Sequence, residues 1–350
     1  KSRRFGWKRT LLLLFIILLT PLLVIGIWDY RNFSNASEKI FGSSSPSELI
    51  FSSGLQTDSN GRTNVLVVGY SADNPNHGGA QLTDSIMIAS LDKESKKGFT
   101  LSVPRDLYVD IPEYGSAKIN EAYQAGEQQG FSKPGNFSGG MGLLQEVISQ
   151  NFDIELHYHV LVNYGAVRGI VDALGGITVN VESPDPRGIY DPNFRPEEGG
   201  PLTLANGPQE LDGQTALRFS RARGATFGSY GFPLSDFNRT INQQKVFSGI
   251  KDELSWRLVL DPRTNEKVFD AVASNVQTNL ELSEVIPLFR LFRSIPDGAL
   301  QPVSLREPDE GGLNLLTGYQ TPFGQSALIP SAGLDDFSEI QALIEGLEQQ

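Results

Sequence analysis

The run Asn64-Val65-Leu66-Val67-Val68-Gly69 constrains this chain most. Successive strand residues point to opposite faces of a sheet, so an apolar run without alternation must be covered on both faces. It predicts a central, fully buried strand that stops at a glycine, and hence a sheet sandwiched by helices.

The rest of the chain supplies the other elements of that architecture. Ser85–Leu91 and Gly98–Pro104 read as two further strands, with residues 93–97 turning between them. Helices are expected over 118–129 and 140–151, a strand over His157–Val162, a helix over Tyr164–Leu174 and a strand over Ile177–Val181 after the Gly175-Gly176 turn. Thr215–Arg218 is read as extending into a strand through Arg223, followed by a long amphipathic helix over 238–258. Residues 184–200, rich in Pro, Gly and Asp, are expected to form a long surface loop. Helices over 282–294, with Pro287 kinking or shortening the first, and 336–347 complete the pattern. The fold class is α/β: a three-layer α/β/α domain with a central mixed sheet, preceded by one transmembrane helix.

That preceding segment is a separate object. Lys1-Ser2-Arg3-Arg4 and Lys8-Arg9 lead into an apolar run from Leu11 to Trp28. Crossing a hydrocarbon core as a helix takes roughly 20 residues. The basic flank places the amino end in the cytoplasm, with Trp28 and Tyr30 at the outer interface. Trp28-Asp29-Tyr30-Arg31 offers no small-x-small cleavage site, so an uncleaved anchor is expected rather than a signal peptide. The organisation is then a basic cytoplasmic tail (1–9), an anchor (10–28), a Ser/Gly/Asn-rich extracytoplasmic linker (29–62) and one folded domain (63–350).

Composition excludes some functions. The 350-residue chain has a formal net charge of -12, which argues against nucleic acid as a partner, since such binding needs broad basic surface. It contains no cysteine, and a bacterial extracytoplasmic protein with a large core has no need of disulfides. Against this acidic background, Arg218, Arg221, Arg223 and Arg239 crowd into one short segment. Guanidinium groups grip phosphate oxygens two at a time, so an anion site is expected there. Arg221 and Arg223, two apart, would leave one face of a strand, and Arg239 and Gln243 one face of a helix. Arg105 follows a predicted buried strand, at the sheet rim where ligands of α/β folds collect. His157 and His159 would share a strand face near a sheet edge, with no third residue at metal-ligand spacing.

Taken in order, several motifs resemble the LytR-CpsA-Psr family: Asn64–Gly69, Thr83-Asp84-Ser85-Ile86-Met87, Ser102-Val103-Pro104-Arg105-Asp106, Lys118–Tyr123, Ile170–Ile177, Leu211–Leu217, Arg221-Ala222-Arg223, Asp236–Gln244 and Val276–Leu280. The resemblance implies a membrane-anchored phosphotransferase. Such an enzyme moves an anionic glycopolymer from a polyprenyl-pyrophosphate carrier to peptidoglycan through a phosphodiester, with magnesium, or manganese in its place, bridging the pyrophosphate. By the same resemblance Asp84 is a metal ligand, and Arg105, Arg221, Arg223, Arg239 and Gln243 contact the pyrophosphate. Asp236 either accepts the proton of the attacking sugar hydroxyl or orients an arginine; with Arg105 and Arg239 it forms the catalytic set. Arg218 is assigned a structural role.

Two positions depart from the family pattern. Leu82 stands where an arginine precedes the Thr-Asp pair. The second acidic metal position aligns with Ser71, leaving Asp73 as the candidate second ligand. The same residues would also serve a polyprenyl-pyrophosphate hydrolase, and the departures would suit a catalytically degenerate lipid-pyrophosphate-binding or regulatory protein.

Overall fold

A computed structural model describes residues 54–70, 82–133, 137–224, 227–233, 241–242, 245–246, 248–250, 252–253, 262–296, 299–305 and 314–349. They fall into two compact units, one over residues 164–275 and one made of residues up to 163 together with 276 onwards. The anchor and most of the linker lie outside the described residues. Among those described, no helix is long and apolar enough to cross a membrane.

The elements run β1 (Arg62–Tyr70), β2 (Thr83–Asp92), β3 (Gly98–Val103), β4 (Tyr108–Ile111), β5 (Gly115–Lys118), α1 (Ala122–Gln129), α2 (Gly139–Phe152) and β6 (Tyr158–Asn163). Next come α3 (Tyr164–Leu174), β7 (Ile177–Val181), β8 (Ile189–Asp191), β9 (Leu202–Leu204), β10 (Gly207–Leu211), α4 (Gly213–Arg221) and α5 (Pro262–Ala273). The chain closes with β11 (Val276–Thr278), α6 (Leu282–Ser294), β12 (Leu300–Ser304), β13 (Leu316–Gln320), β14 (Ser326–Pro330) and α7 (Ser338–Glu348).

The larger unit is built on a six-stranded sheet ordered β11-β6-β1-β2-β3-β12. β1 pairs antiparallel with β2 and parallel with β6, and β12 pairs parallel with β3, so the sheet is mixed as expected. The apolar run is indeed central, with Leu66 and Val68 fully buried. Those two, with Ile86, Ile88 and Leu161, face a core completed by Leu144 and Ile148 of α2 and Ile340 of α7. On the opposite face, the hydroxyl of the fully buried Tyr158 donates to Glu284 of α6 at 2.6 Å. Helices therefore cover both faces, as the unbroken run requires.

One charge lies inside this sheet. Arg62 is 1% exposed, and its Nε donates to Ser90 Oγ at 2.8 Å while the guanidinium sits 5.3 Å over the Phe99 ring. Burial pulls its pKa down, opposed by the carboxylates of Asp92 and Glu348.

In the smaller unit, α3 and β7 begin and end where the sequence places them, and β7 pairs with β10. Three expectations are corrected. The stretch Thr215–Arg221 is helical, not extended: Asp212 caps α4 by accepting from the Thr215 N–H at 2.7 Å. The region 184–200 is not one open loop, since β8 lies in it and pairs with β9, and Ile189, Asp191 and Phe194 are buried. In the larger unit, the helix expected from Lys118 begins at Ala122, because Lys118 ends the β4–β5 hairpin. In the predicted helix 238–258 the described positions are helical, and α6 runs its whole predicted length through Pro287.

Candidate functional site

The rim of the six-stranded sheet, where β3 ends and β2 begins, carries two of the predicted site residues. Asp84 is the second residue of β2, and Arg105 follows β3 after Pro104. Because β2 and β3 are antiparallel, with Ile86 opposite Val103, the two side chains meet. Arg105 Nη1 donates to Asp84 Oδ1 at 2.7 Å, and its Nε lies 3.6 Å from Asp106 Oδ2. Lys118 Nζ donates to the other Asp106 oxygen at 2.8 Å. Alternating cations and carboxylates thus line this rim. The Arg105 side chain is 34% exposed and that of Asp84 27%, so both can be reached from solvent.

In the smaller unit, Arg221 closes α4 and Arg223 follows two residues on. Cations in a last helical turn sit favourably at the negative end of the helix dipole. Arg218 Nη1 donates to the carbonyls of Gly199 and Gly200 at 2.7 and 3.0 Å, from a helix rather than from a strand face. Arg221 Nη1 donates to Glu198 Oε1 at 2.8 Å, with its guanidinium 5.1 Å from the Tyr164 ring and 5.8 Å from that of Phe194. Burial alone would raise the Glu198 carboxyl, but hydrogen bonds from the Arg195 backbone and the Arg221 guanidinium hold it below the usual range.

Asp73, Asp236, Arg239 and Gln243 lie outside the described residues. Glu198 and Asp191 are the acidic partners that sequence reasoning missed, since both fall in a stretch read as loop.

Among the described residues His157 and His159 join no group of three or more metal-ligating side chains. His157 is 5% exposed, and its Nδ1 accepts the Asn64 N–H at 3.0 Å. In the neutral ring the proton is then on Nε2, the nitrogen a metal would need. Burial lowers the pKa of His157 and of His159, the latter to about 4. They border a cavity of about 770 Å³ lined also by Gln145, Glu127, Glu155 and Asn279. Among its described lining residues, that cavity carries carboxylates and no lysine or arginine.

The carboxylate of Asp84 is a hard oxygen donor of the chemical class that magnesium prefers. Among the described residues no group of three or more His, Cys, Asp or Glu gathers to hold a metal by protein alone.

The model of the LytR_cpsA_psr family matches residues 27–322. The chain belongs to the LytR_cpsA_psr family. Among its relatives, regulatory protein MsrR of Staphylococcus aureus (strain COL) is 32% identical over 196 residues, 55% of this chain and 50% of its own length. Polyisoprenyl-teichoic acid–peptidoglycan teichoic acid transferase TagU of Oceanobacillus iheyensis is 29% identical over 222 residues, 63% of this chain and 60% of its own length. The chain thus spans about half the length of the first of these curated relatives and 60% of the second. Of the solved structures, TagT bound to LI-WTA superposes with a TM-score of 0.53 at 23% identity, covering 85% of this chain and 94% of that one. Protein gbs0355 of Streptococcus agalactiae gives 0.55 at 20% identity, over 83% and 88%. At these identities the likeness shows the shared α/β fold with its mixed sheet.

Proposed function

We propose that this LytR_cpsA_psr protein transfers an anionic glycopolymer from a polyprenyl-pyrophosphate carrier to peptidoglycan, held at the outer face of the membrane by its apolar amino-terminal segment. The observation that carries the reading is the Asp84–Arg105 pair on the sheet rim, in a chain whose family membership spans residues 27–322. The name of the relative TagU describes this class of transfer.

In the proposed reaction a peptidoglycan sugar hydroxyl attacks the phosphorus attached to the glycopolymer. A new phosphorus–oxygen bond forms, the bond to the leaving polyprenyl phosphate breaks, and the hydroxyl proton passes to a carboxylate, the role proposed for Asp236. Phosphoryl transfer needs positioning and charge neutralisation more than covalent work by the protein. Arg105 meets that need with a fixed guanidinium, and family position assigns the same task to Arg221, Arg223, Arg239 and Gln243. Asp84, with Asp73 as its proposed second, would hold a magnesium ion that polarises phosphoryl oxygens when bound. Leu82 removes one guanidinium from the family set; a charge-assisted contact is worth roughly 1.5–3 kcal/mol, which weakens substrate binding without abolishing the chemistry.

Product analysis tests the reading. Full-length protein in detergent, given a labelled polyprenyl-pyrophosphate oligosaccharide and peptidoglycan, should yield label joined to peptidoglycan by a phosphodiester. Release of the oligosaccharide phosphate into solution instead would mean a hydrolase.

A further inference from the structure

Between α4 and the residues that follow it, the backbone passes through three conformations within four residues. Arg221 is helical, Ala222 is extended at φ -65 and ψ 131, and Gly224 is left-handed at φ 64. The Ala222 N–H still bonds back to the Arg218 carbonyl, but those of Arg223 and Gly224 lie beyond the helical ladder, and buried N–H groups need partners. The partner is Asp191, at the end of β8 and only 2% exposed. Its Oδ2 accepts the N–H of Arg223 and of Gly224, each at 3.1 Å, while Oδ1 accepts the Asn193 N–H at 3.0 Å. Hydrogen bonds to an ionised acceptor are roughly twice as strong as neutral ones.

Asp191 is itself held in place. Its neighbour Tyr190 exchanges backbone hydrogen bonds with Tyr230 in both directions, at 3.0 and 3.1 Å, and the two rings stack 5.4 Å apart. At Gly224 an added Cβ would meet the Phe232 ring at 2.5 Å, so this turn has no room to relax. The direction in which the Arg223 side chain leaves the backbone therefore depends on one buried carboxylate, 32 positions earlier in the chain.

We infer that Asp191 is a positioning residue for Arg223: it fixes the backbone from which that guanidinium reaches the pyrophosphate. This rests on the function proposed above.

A double-mutant cycle tests it, with geranylgeranyl pyrophosphate as the probe and full-length protein in detergent, read by calorimetry. Arg223→Ala and Asp191→Ala should each weaken binding about ten-fold, the scale of one lost charge-assisted contact. The double variant should bind no more weakly than Arg223→Ala alone, because Asp191 has nothing left to position. Asp191→Asn, which keeps one acceptor oxygen, should recover part of the loss. If Asp191→Ala does not fold, the same cycle is run with Asp191→Asn. An equal further loss from the Asp191 variant in both backgrounds makes the residue merely structural and overturns the inference alone. Undiminished binding by Arg223→Ala overturns the pyrophosphate assignment of Arg223, and the inference with it.

Discussion

Arg105 and Asp84 lie 21 positions apart in the chain and 2.7 Å apart in space. The pairing of β2 with β3 brings them together, and their partial exposure leaves the pair open to an arriving anion. The carboxylate accepts from the guanidinium at 2.7 Å; in the proposed reaction a pyrophosphate would compete with it for the same donor. Arg105→Ala should lower the rate of transfer by at least about a hundred-fold, the scale found when a preorganised donor to developing charge is removed. Because the side chain is one-third exposed, the melting temperature should hardly move. Unchanged transfer by a folded variant would remove Arg105 from the site.

Arg221 is constrained by shape as well as charge. It donates to Glu198 and packs beside Tyr164 and Phe194. Lysine cannot make the planar, forked contact. Arg221→Lys should therefore bind geranylgeranyl pyrophosphate almost as poorly as Arg221→Ala. Full recovery by lysine would reduce the role of Arg221 to a point charge.

Much of this was legible in the sequence, and the failures have local causes. The buried strand at Asn64–Gly69, the helix at Tyr164–Leu174 and the helix at Leu282–Ser294 each announce themselves by a strong apolar pattern with clear punctuation. Leu217-Arg218-Phe219-Ser220-Arg221 misled because it alternates apolar and polar residues nearly like a strand. Asp212 and its cap on Thr215 overrule that alternation. The segment 184–200 hid Ile189, Asp191 and Phe194 among glycines and prolines, so its role in holding Arg221 and Arg223 was invisible. Arg105 could be placed at the sheet rim from its own strand, whereas its main partner depends on a register that no local pattern encodes.

His157 and His159 should give the fold a defined response to acid. Burial pushes His159 down to about 4 and lowers His157 as well. In the unfolded chain a histidine titrates near its ordinary value, about 6.5. The unfolded state therefore takes up protons first, and stability present above about pH 6.5 is lost as pH falls towards the folded value of His159. Melting temperature should drop across that window, and His159→Gln should flatten the drop. An identical pH profile for the variant would exclude His159 as the cause.

Two glycines predict opposite outcomes. At Gly140, where α2 passes α1, an added Cβ would lie 2.4 Å from the Tyr123 carbonyl oxygen. Gly140→Ala should destabilise the protein by about 1–3 kcal/mol through overpacking. Gly346, inside α7, has nothing within 4 Å of that position. Gly346→Ala should stabilise by about 0.4–1 kcal/mol, since alanine has less freedom to lose on folding. Chemical denaturation of both variants checks the pair.

The most direct test of the proposed transferase is a transfer time course. Full-length wild-type protein and Arg105→Ala are each incubated with a labelled polyprenyl-pyrophosphate glycopolymer and peptidoglycan, with magnesium or with a chelator. Label is expected on peptidoglycan from the wild-type protein with magnesium, and little or none from the variant or in chelator. Label that stays on the lipid while wild-type protein binds it would contradict a transferase.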